Sequence, residues 1–220
     1  MKASELISKN IPSLRTSDTG ATALRLMSEF HVLHLPIVNE NQLLGLISEE
    51  DILNTHGVEE AIGSLPLSFM RPFIKDHEHL FEVMKVASEF RLTAIPVIDN
   101  DENYLGVITR DELLNYFALE TGILEPGGII VIEVNVKDYT LADVARIIEQ
   151  HEAKILGSFA KTNEESNKVQ ITIKINHTDL QPIIASLARY NYVVKETFTE
   201  PEYFDNLKER YDSLMNYLNI

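Results

Sequence analysis

Leu35-Pro36-Ile37-Val38, followed after a polar turn by Leu44-Gly45-Leu46-Ile47-Ser48, decides the fold, because the chain writes the same pattern twice. The second copy is Ile95-Pro96-Val97-Ile98 and then Leu105-Gly106-Val107-Ile108-Thr109. The step from Gly45 to Gly106 is one position longer than the step from Pro36 to Pro96. The extra residue falls in Asp99-Asn100-Asp101-Glu102-Asn103, where a loop tolerates it. Upstream, Ser28-Glu29-Phe30 recurs as Ser88-Glu89-Phe90, at the same step as the prolines. Self-similarity at a fixed period marks a repeated supersecondary unit.

Each copy reads in the same order. Leu24, Met27 and Phe30, and then Met84, Ala87 and Phe90, predict amphipathic helices. A short apolar strand with a proline follows, then a polar turn, then a strand opened by glycine. Ser48 and Thr109 stand where they would cap the next helix, expected over 51–54 and 112–117. A strand proline cannot donate to a ladder, so it implies a sheet edge or an open strand end. Glycine beside it permits close backbone approach. One such hairpin reads as an edge proline; two in register read as a backbone-lined cleft.

Apolar-Pro-apolar followed by Gly-apolar-x-(Ser/Thr)-x-x-Asp resembles the CBS domain, and two copies resemble the tandem pair called a Bateman module. Gly45-Leu46-Ile47-Ser48-Glu49-Glu50-Asp51 keeps the motif. Gly106-Val107-Ile108-Thr109-Arg110-Asp111-Glu112 departs from it by ending in glutamate. The resemblance implies a regulatory sensor that does no chemistry and binds an adenosyl ligand, such as AMP, ATP or S-adenosylmethionine, between its repeats. The implied ligand residues are Leu35, Pro36, Ser48 and Asp51 in the first copy. In the second they are Ile95, Pro96, Thr109, Arg110 and Glu112. The adenine is expected beside Pro36 or Pro96, and Asp51 is the better ribose partner because Glu112 is one methylene longer. Thr109 and Arg110 suit a phosphate, whereas Glu49 and Glu50 beside Ser48 oppose one, so the half-sites should be unequal.

Thr121-Gly122 and Glu125-Pro126-Gly127-Gly128 punctuate the chain. The expected division is a CBS pair over 1–118 (repeats about 1–57 and 64–118), a linker over 119–128 and a second domain over 129–220. Ile130, Ile132, Val134 and Val136 predict one strand face, and Leu141, Val144, Ala145 and Ile148 a helix. Ala153 to Lys161 and Val169 to Ile175 read as strands. Leu180, Ile183, Ile184 and Leu187 read as a helix with a Thr178/Gln181 capping box, and Tyr192 to Phe198 as a strand. This βαββαβ order resembles the ferredoxin-like ACT domain. The loop Lys137-Asp138-Tyr139-Thr140 lacks the glycine that amino-acid-binding ACT domains usually carry, which favours a dimerisation role over tight amino-acid binding. Phe204, Leu207, Tyr211, Leu214 and Leu218 predict a terminal helix after a Thr199/Glu202 capping box. The fold class is thus α/β and α+β, and the layout is similar to acetoin-utilisation B-type proteins.

Composition narrows the function classes. The chain has 220 residues, no cysteine and a formal net charge of −15. The missing thiols remove disulfides, thiolate metal sites and cysteine nucleophiles. A nucleic-acid backbone would be repelled. No apolar run suggests a secretory signal or a membrane span, so the expected location is cytoplasmic. No phosphate-binding Gly-Lys-Ser/Thr loop, Gly-x-Ser-x-Gly or Gly-x-Gly-x-x-Gly is written. His77 and His79 would share a strand face and hold a metal weakly; solvated histidines are the plainer reading. His31 and His34 flank the first proline strand, and His34 reads as a cleft-lining residue or, equally, as a surface histidine. The expected protein is therefore not an enzyme and requires no cofactor. It forms a homodimer or higher assembly, with Phe81 and Phe117 as contributors, and regulates a partner. The alternatives are a dimeric scaffold with a vestigial site, or a metabolic enzyme.

Overall fold

The computed structural model describes residues 1–54, 58–65, 71–199, 214, 215 and 217. They fall into two compact units, Met1–Phe117 and Ala118–Ile220.

In the first unit, α1 (Gly20–Phe30) starts where the Thr19 hydroxyl accepts the Thr22 amide at 3.2 Å, and ends at His31 in the left-handed region, φ 54°. The strands β1 (His34–Asn39) and β2 (Gln42–Ser48) form an antiparallel hairpin, and α2 (Glu49–Leu53) follows directly. The second copy runs β3 (Ile74–Lys75), α3 (Leu80–Glu89), β4 (Ala94–Ile98), β5 (Tyr104–Thr109) and α4 (Arg110–Glu120). The two hairpins share one register: Pro36 faces Leu46 and Ile37 faces Gly45, while Pro96 faces Val107 and Val97 faces Gly106.

Two expectations need correction. The proline strands are not bare edges: β3 pairs in parallel with β4, and a bridge between Leu14 and Ile37 does the same for β1. Leu14 donates to the Pro36 carbonyl at 2.8 Å, and Val38 donates to the Leu14 carbonyl at 2.8 Å. A strand residue turns its nitrogen and carbonyl toward the same side. The proline nitrogen therefore points where the added strand is only beginning, and no ladder bond is lost. Nor is the close approach at Gly106 one to a ligand. At Gly106, φ +147°, a Cβ would strike the Ile7 side chain and approach the Ser8 carbonyl, so the chain itself makes the close approach. A Cβ at Gly45 would meet open space.

The leading segments of the copies are exchanged. Ala3 donates to the Glu78 carbonyl at 2.9 Å, and Ala3 and Leu6 pack with Ile74, Leu80 and Val83. Conversely, Ile62 donates to the Asp18 carbonyl at 2.7 Å, and Ile62 and Leu65 pack with Leu14, Ala23 and Met27. The expected helix stripes hold at Met27 and Ala87, which are buried, and at Leu24, Phe30 and Phe90, which pack against the cores, and fail at Met84. Ala23 and Met27 are buried on α1, and Leu80, Val83 and Ala87 on α3, while Met84 is exposed. Phe81 is 56% exposed, whereas Phe117 packs against the core. His77 and His79 lie beyond the short β3; the His79 ring accepts from the Phe81 amide at 3.2 Å and caps α3.

The second unit contains β6 (Gly128–Asn135), α5 (Leu141–Glu149), β7 (Ile155–Asn163), β8 (Lys168–Ile175), α6 (Gln181–Arg189) and β9 (Val193–Thr199). The sheet order β7-β8-β6-β9, with antiparallel neighbours, is the ferredoxin-like topology. Ile130 and Ile132 of β6, Val169 to Ile175 of β8, and Val144, Ile147 and Ile148 of α5 form its core. Val136 is exposed beyond the end of β6, and Leu141 is exposed at the start of α5. The Thr178/Gln181 box does not form. Leu180 occupies the cap position and is buried in the core, and the Asp179 carboxylate accepts the Gln181 amide at 3.2 Å instead. The expected terminal helix falls on residues 200–218, of which 214, 215 and 217 are described; these are helical and exposed.

Ser186, 1% exposed on α6, accepts from Arg189 at 2.6 Å and meets the His151 ring at 2.8 Å, tying α6 to the end of α5. Ser186→Ala removes the shared partner of two polar groups. It is expected to destabilise the second unit by about 1 kcal/mol in urea denaturation, the usual net contribution of a hydrogen bond, because Arg189 is exposed and His151 half-buried.

Candidate functional site

Two cavities lie at equivalent places in the two copies of the first unit. One of about 180 Å³ is lined by His34, Ser48, Asp51, Pro72, Phe90 and Leu92. The other, about 170 Å³, is lined by Phe30, Val32, Thr93, Thr109, Arg110 and Asp111. Each cavity takes its hydroxyl and charged groups from one copy and its apolar wall from the other. Phe90 and Leu92 are the repeat counterparts of Phe30 and Val32.

The polar groups are prearranged by helix capping. Ser48 begins α2: its Oγ accepts from the Asp51 amide at 3.0 Å, while Asp51 Oδ2 accepts from the Ser48 amide at 3.0 Å and from its hydroxyl at 2.7 Å. Thr109 and Glu112 repeat this at α4. Glu112 Oε2 accepts from the Thr109 amide at 3.1 Å and from its hydroxyl at 3.0 Å, and Thr109 Oγ1 accepts from the Glu112 amide at 3.1 Å. Such reciprocal boxes satisfy amides that would otherwise be orphaned at a helix start. Both bonds that Asp51 accepts from Ser48 fall on Oδ2, so Oδ1 takes no part in the box. The longer Glu112 side chain closes its box but is not among the residues lining the second cavity; Asp111 is.

Arg110 is fixed from two sides. Its guanidinium donates to the Leu92 carbonyl at 3.2 Å and to the Arg91 carbonyl at 3.4 Å, and its amide donates to the Thr93 carbonyl at 3.1 Å. The matching first-copy contact is the Glu49 amide on the Leu33 carbonyl, 2.9 Å. Arginine and glutamate therefore occupy equivalent places, so the start of α4, Arg110-Asp111-Glu112, carries less negative charge than the start of α2, Glu49-Glu50-Asp51.

His34 joins the two cavities. It lines the first, and its Nδ1 lies 3.1 Å from the hydroxyl and 3.4 Å from the amide of Thr93, which lines the second. The Leu33 amide donates to the same hydroxyl at 2.8 Å. Burial holds the His34 pKa below the ordinary imidazole value; Asp51 opposes this and Arg110 adds to it.

The structure thus gathers Ser48 and Asp51 at one cavity and Thr109 and Arg110 at the other. Leu35, Pro36, Ile95 and Pro96 are buried in the hairpins and are not among the residues lining either cavity. Sequence reasoning missed the walls Phe30, Val32, Phe90 and Leu92. The repeated Ser-Glu-Phe carries their signal, although its phenylalanines read first as helix-face residues. A larger cavity of about 590 Å³ lies in the second unit, near Glu133, Asp138, Asp143 and Arg146. Several of its charges are already paired: Glu133 with Lys168 at 2.8 Å and Lys195 at 3.1 Å, Asp143 with Arg146 at 2.9 Å. Size alone does not make it the better site.

Known proteins bear on this geometry. Residues 3–56 and 68–119 each match the family model of the CBS domain, so the first unit is a tandem CBS-domain pair. The chain is similar to homoserine O-acetyltransferase of Methanococcus vannielii, 28% identical over 124 residues, covering 52% of this chain and 24% of that one. It is similar to inosine-5'-monophosphate dehydrogenase of Methanocaldococcus jannaschii, 23% identical over 116 residues, covering 51% and 23%. The chain spans about a quarter of the length of these relatives, and the likeness lies in their CBS part. Among solved structures, a CBS domain pair/ACT domain protein of Thermotoga maritima is 16% identical with a TM-score of 0.47, over 54% of this chain and 98% of that one. Among the described residues, no helix is long and apolar enough to cross a membrane.

Proposed function

We propose that the chain is a regulatory sensor that takes an adenosyl ligand between its CBS repeats and acts through a partner or its own assembly. The observation that carries this reading is the pair of cavities in which a hydroxyl and an acid or arginine from one copy face an aromatic-aliphatic wall from the other. A flat base fits against Phe90 and Leu92 or against Phe30 and Val32, where burial of apolar area supplies affinity. Asp51 can accept from ribose hydroxyls, and Arg110 can pair with a phosphate. α4 spans 11 residues and adds a helix dipole at Arg110; α2 is a single short turn with Glu49, Glu50 and Asp51 at its start. The first half-site therefore favours a neutral or cationic adenosyl group, and the second an AMP-like one. The second, ACT-like unit serves assembly rather than tight amino-acid binding: Tyr139 packs into its core where a backbone-lined pocket would need room.

Calorimetry with adenosine and AMP tests this directly. Both should bind, and Arg110→Ala should weaken AMP by about tenfold or more, since charge-assisted hydrogen bonds contribute roughly 1.5–3 kcal/mol. Adenosine affinity should change little. Failure of every adenosyl compound to bind the unmodified chain would refute the sensor.

A further inference from the structure

We propose that His34 is a proton-controlled link between the two half-sites: neutral, it accepts from both the hydroxyl and the amide of Thr93; protonated, it gives up the amide, so that protons and the first half-site's ligand oppose one another. The inference rests on the sensor reading for the ligand, but not for the link itself.

The bonding pattern defines the tautomer. Thr93 Oγ1 accepts the Leu33 amide proton at 2.8 Å and lies 3.1 Å from His34 Nδ1, toward which its own proton can turn. The Thr93 amide also aims at Nδ1, at 3.4 Å. Two donors converge on that nitrogen, so it carries a lone pair and the ring proton sits on Nε2. The copies are unequal here. The repeat counterpart of His34 is Ala94, whose side chain can neither accept nor titrate. Of the two strand starts, only β1 carries a switchable group.

The path from one half-site to the other is short. His34 lines the first cavity with Asp51. Thr93 lines the second, and its carbonyl receives the Arg110 amide at 3.1 Å, the first peptide of α4. Protonation makes Nδ1 a donor. The Thr93 hydroxyl must then rotate to accept from it and the Thr93 amide loses its acceptor, which loosens the residue whose carbonyl holds the first amide of α4.

The charged groups facing His34 are Asp51 from α2, which favours imidazolium, and Arg110 from α4, which opposes it. A ribose donating to Asp51 disperses the one charge that supports imidazolium. Ligand at the first half-site therefore lowers the proton affinity of His34, and by linkage protons lower ligand affinity by the same factor. Affinity should be full above the His34 midpoint and fall as pH drops through it. That midpoint lies below the ordinary imidazole value of about 6.5.

The experiment uses the full chain. Without ligand, the Thr93 and Arg110 amide resonances should titrate together with the His34 ring, with a midpoint below about 6.5. In His34→Asn, whose amide oxygen keeps an acceptor near the Nδ1 position, they should not titrate. Calorimetry with adenosine should show affinity falling by up to about tenfold between about pH 7.5 and about pH 5.5, and a flat profile in His34→Asn; one unit of pKa change corresponds to a tenfold change. Thr93 and Arg110 amides that ignore the His34 titration would overturn the link, as would an equal pH profile in the variant. Absence of adenosine binding at every pH would overturn the sensor reading, with the amide titration still deciding the link.

Discussion

Gly127→Ala is expected to destabilise the second unit strongly while leaving the first folded and able to bind adenosine. Gly127 has φ +150°, in the region that side chains rarely enter. A Cβ there would collide with the Ile175 carbonyl oxygen and come within 3.0 Å of the Asn176 Cα. Neither neighbour can yield. Ile175 is the last residue of β8, pairs with Gly128 and Ile155, and its side chain is in the core. Gly128 is itself closed in by Leu180. Strain of this kind costs about 1–3 kcal/mol before the collision is counted. At roughly 4–8 °C per kcal/mol for a domain of this size, a cost of about 3 kcal/mol lowers the melting transition by more than about 12 °C. The core of the second unit is its own, and the first unit has separate clusters around Met27 and Val83. Scanning calorimetry should therefore show one transition displaced and one unchanged. A joint shift of both transitions would contradict the division, and no shift would contradict the backbone conformation at Gly127.

Much of the molecule was legible in its residues, for reasons that also explain what was not. Both hairpins stand where the proline and glycine segments place them, because apolar runs broken by polar turns leave few other pairings. The βαββαβ order was read from alternation in Val169 to Ile175, which the structure buries on one face. The expected helix stripes fail at Met84 and Leu141. Spacings of three and four admit neighbouring stripes, and the choice between them is made by what the helix meets. The exchange of leading segments left no local trace. Ala3 and Leu6 look like the start of the first copy, yet they complete the core of the second. The cavity walls were hidden for the same reason. Phe90 serves Asp51, and Phe30 serves Thr109, only once the two copies have packed together. Neither proline strand is a bare sheet edge, because a segment outside the hairpin pairs with each. Leu14 and Ile74, at equivalent positions upstream of Pro36 and Pro96, supply the further pairing in each copy.

Asp51→Ala is expected to weaken adenosine binding by about ten- to a hundredfold and to cost the first unit only about 1 kcal/mol of stability. On the proposed reading the carboxylate has two tasks that differ in size. As the third residue of α2 it closes the capping box on Ser48, through bonds of 3.0 and 2.7 Å. Loss of such a cap typically costs about 1 kcal/mol, and α2 is only one short turn. Hydrogen bonds from ribose hydroxyls to an ionised group contribute more, roughly 1.5–3 kcal/mol each. Every ~1.4 kcal/mol is about tenfold in affinity, so the ligand effect exceeds the folding effect. Asp51→Asn separates them, because an amide oxygen can still accept from Ser48 but carries no charge; it should recover most of the stability and little of the affinity. The decisive comparison removes the hydroxyl instead of the carboxylate. 2'-Deoxyadenosine should bind the unmodified protein several-fold more weakly than adenosine, and Asp51→Ala should erase that difference. If Asp51→Ala still discriminates between the two nucleosides as strongly as the unmodified chain, Asp51 is a helix cap and nothing more, and the ribose must be held elsewhere in the cleft.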